Sequence, residues 1–189
     1  MTFAQYTVDD FLAAVAAREP APGGGAVAAL TAANAAALTA MAARFSTGDL
    51  AELATEADEL RAGLTPLADA DAYAYSAVLA AYRLPKSEVD RKERIAAALR
   101  GAAEVPLRIA EGAARVGELA ARLAVDGNPN LLGDARAAAY LAEAATRTAA
   151  GLVEINVKLA ALPGPWRNDT AAHVQRATTA RETAVGGTT

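Results

Sequence analysis

Between Glu19 and Arg44 the chain carries no charged residue, and Thr31, Asn34 and Thr39 are the polar interruptions in the alanine-rich run that fills it. That run opens on Pro20-Ala21-Pro22-Gly23-Gly24-Gly25, which cannot continue a helix. The residues beyond this corner are helical in composition, so the pattern predicts a helix from about Gly24 to Arg44. No face of it is polar enough for water, which places it in the middle of a bundle.

The other elements emerge from the same alternation. Thr7 with Asp10 makes a capping-box-like start, and Phe11, Leu12 and Val15 give a short amphipathic helix ending near Arg18. After the Ser46-Thr47-Gly48 turn, Asp49 opens a helical stretch to about Tyr82, with a kink or break near Thr65 because Pro66 lies inside it. Leu84-Pro85-Lys86 ends that stretch, and Ser87 with Asp90 starts the next. The next helix is basic at Arg91, Lys92 and Arg94 and apolar through Ala103; Pro106 then predicts a fresh start, with a separate helix from Leu107 to about Val125. Asp126-Gly127-Asn128-Pro129-Asn130 reads as a loop. Asp134 caps a last long helix through Leu162, whose stripe is Ala138, Leu141, Ala145, Leu152, Ile155 and Leu159. A short helix over 169–184 and a disordered tail at about 185–189 complete an all-α helical bundle, read as a single domain over 1–189.

One position breaks the pattern. Leu60, Leu64, Leu67, Ala74, Val78 and Ala81 share one helical stripe, and Asp71 lies on it while Asp69 does not. A carboxylate on an apolar seam is costly unless something pairs with it. Asp71 is therefore either a satisfied polar group, bonded for example to Tyr75 one turn on, or an acid–base group tuned by burial. Lys86 is either a solvated corner residue or a partner that lowers the carboxylate's pKa. The triple glycine is either a tight turn or a cradle of backbone N–H groups. Asn128 and Asn130 suit a turn, Asp134 suits an N-cap, and His173 suits a structural or exposed place.

Composition narrows the chemistry. With no cysteine and one histidine, thiolate sites, disulfides and multi-histidine metal sites are excluded. The net charge of −4 argues against non-specific nucleic-acid binding. The uncharged run is long enough to span a bilayer, but its Pro, Gly, Thr and Asn content suits a buried helix better, and no membrane association is expected. The first residues lack the pattern of a signal peptide, so a cytoplasmic location is expected.

The series Pro20-Ala21-Pro22-Gly23-Gly24-Gly25-Ala26-Val27, Asp69-Ala70-Asp71, Leu84-Pro85-Lys86, Val105-Pro106-Leu107 and Gly127-Asn128 with Asp134 comes in one order. In that order it resembles the cyclodeaminase/cyclohydrolase family: the formiminotransferase-cyclodeaminase C-terminal domain and the free-standing methenyltetrahydrofolate cyclohydrolases. The likeness runs from Val8 to about Leu162. It implies a helical homodimer acting on the one-carbon unit between N5 and N10 of tetrahydrofolate, with no metal or other cofactor. It also implies that Asp71 is the acid–base group, with Lys86 as its catalytic companion. Pro22, Gly23, Gly24, Gly25, Tyr75, Asn128, Asn130, Asp134 and Asn156 carry over as substrate-binding positions. Ala26, Gly133 and Leu152 stand where such proteins often have a serine, a serine and an asparagine.

The expectation is a methenyltetrahydrofolate cyclohydrolase. The alternatives are a formimidoyltetrahydrofolate cyclodeaminase of the same fold, and a non-catalytic helical dimer that binds a small ligand or a partner protein. Arg91, Lys92 and Arg94 are either a solvated face or an attraction for a polyglutamate tail.

Overall fold

A computed structural model of the chain describes residues 2–186. Among them it has seven α-helices and two short 3₁₀ turns, with no strand. The helices are α1 (Val8–Ala16), α2 (Gly24–Arg44), α3 (Asp49–Leu64), α4 (Leu67–Arg83), α5 (Arg91–Asp126), α6 (Leu132–Ala160) and α7 (Pro165–Gly186). The break at Pro66 falls where its ring demands: α3 closes at Leu64, and Pro66 is the N-cap of α4.

Pro106 behaves otherwise. α5 runs through it without a break for 36 residues, so the separate helix expected from Leu107 does not exist. An interior proline costs a helix about 3 kcal/mol through its missing N–H and its clash with the preceding turn. Here the helix holds because Pro106 is fully buried and α5 packs against α2, α3, α4, α6 and α7. Tertiary packing overrides local propensity.

α2 shares the centre with α5 rather than holding it alone. Its alanines at 28, 29, 32, 33, 35 and 36 are buried, and their small side chains let α6 and α3 approach closely. Buried Thr39 donates its hydroxyl to the Ala35 carbonyl, as buried Thr146 does to that of Ala142, so neither leaves a polar group unpaired. By length and composition α2 is the one described helix apolar enough to cross a membrane, and most of its apolar window is packed inside the bundle. Enclosure is incomplete, however: Val27, Asn34 and Ala37 face outward.

Several boundaries move from their expected places. α5 begins at Arg91 instead of Ser87, because the 85–90 segment closes on backbone bonds from Glu88 to Pro85 and from Arg91 to Glu88. Asp134 lies inside the first turn of α6, after a Pro129–Leu131 3₁₀ turn, and is not its N-cap. The buried stripe of α6 is Ala135, Ala138, Ala142, Ala145, Ala149, Val153 and Val157, whereas Ile155 and Leu159 are exposed. α7 is longer than the 169–184 segment expected and includes positions 185 and 186; the rest of the expected tail lies outside the described residues. α1 keeps its Thr7 cap but buries none of its residues. Phe3 anchors the N-terminal segment by packing against the core and by donating its N–H to Asp69 Oδ1 at 3.0 Å.

Candidate functional site

The glycine corner and the anomalous aspartate meet. Gly23 is the N-cap of α2, so Gly24, Gly25 and Ala26 form its first turn. The first N–H groups of a helix have no partner within it. Asp71, one turn into α4, lies against this turn so closely that a Cβ on Gly25 would overlap its carboxyl group. Burial pushes the Asp71 carboxyl above its ordinary value, and a hydrogen bond from the Ala26 N–H opposes the shift. The positive end of α2 likewise favours the ionised form. By contrast, Glu56, Asp58, Glu118 and Glu143 are held below their ordinary values by arginine partners.

A cleft of about 320 Å³ opens beside this contact. Pro20, Ala21 and Gly23–Gly25 form one side of it and Asp71 and Tyr75 another. Ala102 of α5, with Leu152, Ile155 and Asn156 of α6, closes it. Its walls are thus largely apolar, with a carboxyl group, an amide side chain and a helix N-terminus as polar features. That composition suits a small organic molecule held by apolar walls and oriented by a few polar groups. No group of His, Cys, Asp or Glu among the described residues is arranged to hold a metal ion.

A larger and more open groove of about 530 Å³ runs along α3 and α5. Its Arg115 binds Glu56 and Glu118, and its Arg176 also binds Glu118, so these charges tie α3, α5 and α7 together. His173 belongs to the same structural cluster, with Nδ1 3.3 Å from Arg176 Nη1. Glu56 in this groove is held low by its ion pair with Arg115. The Asp71 carboxyl is instead raised by burial and has no ion-pair partner among the described residues, so the cleft at Asp71 is the better candidate.

Five of the expected residues therefore converge beside Asp71: Gly23, Gly24, Gly25, Tyr75 and Asn156. Tyr75 lines the cleft without bonding Asp71, which removes it as the structural partner. Pro22 is buried behind the corner, after a cis Ala21–Pro22 bond. The remaining four are elsewhere. Lys86 is exposed in the segment after α4 and is not among the groups acting on Asp71. The stretch of α4 from Asp71 to Arg83 is roughly 18 Å long at 1.5 Å per residue, and the Pro85 corner lies beyond it.

Asn128, Asn130 and Asp134 lie at the opposite end of α2. Asn128 Nδ2 donates to the Phe45 carbonyl at 2.8 Å, just past the C-terminus of α2, and its Oδ1 accepts from the Asn130 N–H at 3.0 Å. With 21 residues, α2 sets this corner about 30 Å from the glycines. Arg91 is also engaged: it donates to the Leu84 and Tyr82 carbonyls and caps α4. Of the three departures from the expected pattern, Leu152 alone lines the cleft. Gly133 is exposed at the far end, and Ala26 is buried with its backbone N–H serving Asp71.

Sequence reasoning misses Pro20, Ala21, Ala102 and Ile155 as cleft residues. Pro20 and Ala21 adjoin the glycine corner, and that adjacency is a signal for both. Ala102 has a subtler one, being four residues before Pro106. Ile155 falls on the stripe expected to be buried, so nothing in the pattern separates it.

The fold and cleft together define an all-α bundle with a small-molecule-sized site at the N-terminus of its alanine-rich helix. The family described as formiminotransferase-cyclodeaminase matches residues 7–161. A methenyltetrahydrofolate cyclohydrolase from Methylorubrum extorquens is 36% identical over 165 residues, covering 80% of this chain and 79% of that protein. A formimidoyltransferase-cyclodeaminase from Mus musculus is 37% identical over 161 residues, 78% of this chain but 30% of the much longer relative. The crystal structure of a formiminotetrahydrofolate cyclodeaminase from Thermotoga maritima superposes with a TM-score of 0.82 at 27% identity, covering 96% of this chain and 92% of that one. The chain belongs to the formiminotransferase-cyclodeaminase family.

Proposed function

We propose that the protein is a cytoplasmic methenyltetrahydrofolate cyclohydrolase working without a metal or other cofactor. The observation that carries the reading is the half-buried Asp71 carboxyl against the N-terminal turn of α2 in a cleft of ligand size. The relative matched over comparable lengths of both chains, named methenyltetrahydrofolate cyclohydrolase, supports this substrate class.

The bridge carbon between N5 and N10 is amidinium-like and electrophilic. Water adds to it, forming a C–O bond, while ionised Asp71 takes a proton from that water. The C–N5 bond then breaks, Asp71 returns its proton to N5, and the remaining hydroxyl proton leaves to solvent as the 10-formyl carbonyl forms. The net reaction consumes one water and releases one proton. A carboxyl held above its ordinary pKa is the stronger base for taking the water proton in the first half. The Ala26 N–H and the α2 dipole, which favour the ionised form, keep that base available and ease return of the proton in the second. The N-terminal amides of α2 suit an acceptor oxygen of the substrate.

A homodimer is part of this reading. Thr31, Asn34, Ala37, Leu38 and Met41 of α2 with Leu141 of α6 line an open apolar groove of about 560 Å³ on the outside of the bundle. A second copy packed antiparallel on this strip makes an isologous contact across a two-fold axis perpendicular to α2. Such pairing carries the partner's Asn128 corner toward the glycine end of α2, which gives Asn128, Asn130 and Asp134 a route to the cleft that one chain lacks.

The test mixes purified protein with 5,10-methenyltetrahydrofolate and follows the loss of its near-ultraviolet absorbance. Turnover by the wild type that disappears in Asp71→Asn supports the proposal. Ammonia release from formiminotetrahydrofolate with no methenyl turnover makes the protein a cyclodeaminase. A folate-induced rise in melting temperature without either reaction makes it a binder.

A further inference from the structure

Pro106 has no N–H, so the Ala102 carbonyl one turn earlier in α5 loses its helical partner. Asn156 of α6 fills the vacancy. Its Nδ2 donates to Ala102 O at 3.1 Å and to Leu152 O at 3.0 Å. With both amide hydrogens facing carbonyl acceptors, the orientation of the side chain is fixed by its partners, and Oδ1 is the atom left over. Among the described residues no side-chain N or O atom is buried without a hydrogen bond, so this Oδ1 is accessible. Asn156 and Ala102 both line the Asp71 cleft, with the apolar Leu152 and Ile155 beside them.

We propose that Asn156 determines ligand specificity by accepting a hydrogen bond from a ring N–H of the ligand, and that Pro106 is its positioning residue. The inference rests on reading the cleft as a folate site. Alanine at 106 would restore a helical N–H to Ala102 O and compete directly with Asn156. A proline there frees that carbonyl to aim the amide. The selected ligand is a flat heterocycle whose edge donates hydrogen bonds. In a pterin the lactam N–H lies on the edge remote from the bridge carbon that Asp71 would serve.

The experiment measures binding apart from turnover. The probes are 6-methyltetrahydropterin, an unreactive ring fragment, and its N3-methyl counterpart, which lacks the lactam N–H; both are titrated calorimetrically into the full chain. Asn156→Leu is expected to weaken the first probe about tenfold and leave the second unchanged. Pro106→Ala is expected to weaken the first probe in the same direction while the protein stays folded with unchanged helical content. In the double variant Ala102 O regains a backbone partner, so its melting temperature should exceed that of Asn156→Leu, with no further loss of binding. Equal losses for both probes, or unaltered binding in Pro106→Ala, overturn the assignment. Because the fragment carries no one-carbon bridge, absent turnover would sink the proposed activity and leave this result standing.

Discussion

Asp71 rests on Gly25 at a distance that excludes any side chain there: a Cβ at residue 25 would overlap the carboxyl group. The contact explains why the glycine corner and the aspartate, 46 positions apart, work as one unit. Gly23 and Gly24 have open space around an added Cβ, so close approach is required at Gly25 alone.

Gly25→Ala is therefore expected to displace the Asp71 carboxyl and reduce methenyltetrahydrofolate turnover by roughly a hundredfold, a loss of the size attached to misplacing a reacting group by about 1 Å. Gly24→Ala, on the same turn but unobstructed, should retain most of it. Steady-state rates of the two variants, each checked for helicity, decide the matter. Equal activities would mean that Asp71 is not the group that matters.

The pH dependence has its origin in the same contact. Burial raises the Asp71 pKa in the folded protein, so folding favours the protonated form. Its contribution to stability is fully present below the unfolded value, about 4, and is lost as pH rises through the folded pKa. Asp71→Asn, which keeps an acceptor for the Ala26 N–H, should melt no lower than the wild type near neutrality and higher if the ionised form is strained. The difference should close as the pH falls below the unfolded value. Melting curves from pH 3.5 to 8 test this, and the acid limb of activity should lie above the ordinary carboxylate range. A melting temperature several degrees lower in the variant at pH 7 would make Asp71 a structural partner instead.

Much of the fold and the centre of the site are readable from residue patterns. The uncharged run marks α2, Pro66 marks the break between α3 and α4, and the stripe through Leu64 and Leu67 singles out Asp71. Local signals fail where tertiary contacts decide. Pro106 is ordinarily a helix breaker, but the loss of its N–H is answered by Asn156 from 50 residues further on. Lys86 and the Asn128 corner are grouped with Asp71 only by family order. Order along a chain says nothing about which end of a 21-residue helix a loop will meet. The missing link for Ile155 is a helix that packs by alanines, leaving its larger side chains outside the seam.

Asn128 has a structural task that can be measured independently of the cleft. Its amide holds the Phe45 carbonyl and the Asn130 N–H, and its own N–H donates to Ser46 Oγ at 3.1 Å, joining the end of α2 to the start of α6. Asn128→Ala removes the two side-chain bonds and should lower unfolding stability by about 1–3 kcal/mol, since each is worth roughly 0.5–1.5. The urea midpoint should fall with an unchanged slope. No shift would mean that solvent replaces both bonds without cost.

The outward strip of α2 gives the last prediction. Ala37 is exposed within a single chain and belongs to the apolar groove, so arginine there should leave the folding of one copy intact. Across a two-fold axis the same substitution places two positive charges in one contact, where burial without a partner is strongly unfavourable. Wild-type protein is expected to sediment as two chains, with a melting temperature that rises with concentration. Ala37→Arg should sediment as one chain and lose that dependence. If the partner's Asn128 corner completes the cleft, turnover should fall with the dimer and return when the variant is concentrated enough to reassociate. Wild-type protein sedimenting as a single chain at working concentrations would remove the dimer and with it the route for Asn128, Asn130 and Asp134, while the contact between Gly25 and Asp71 would stand unchanged.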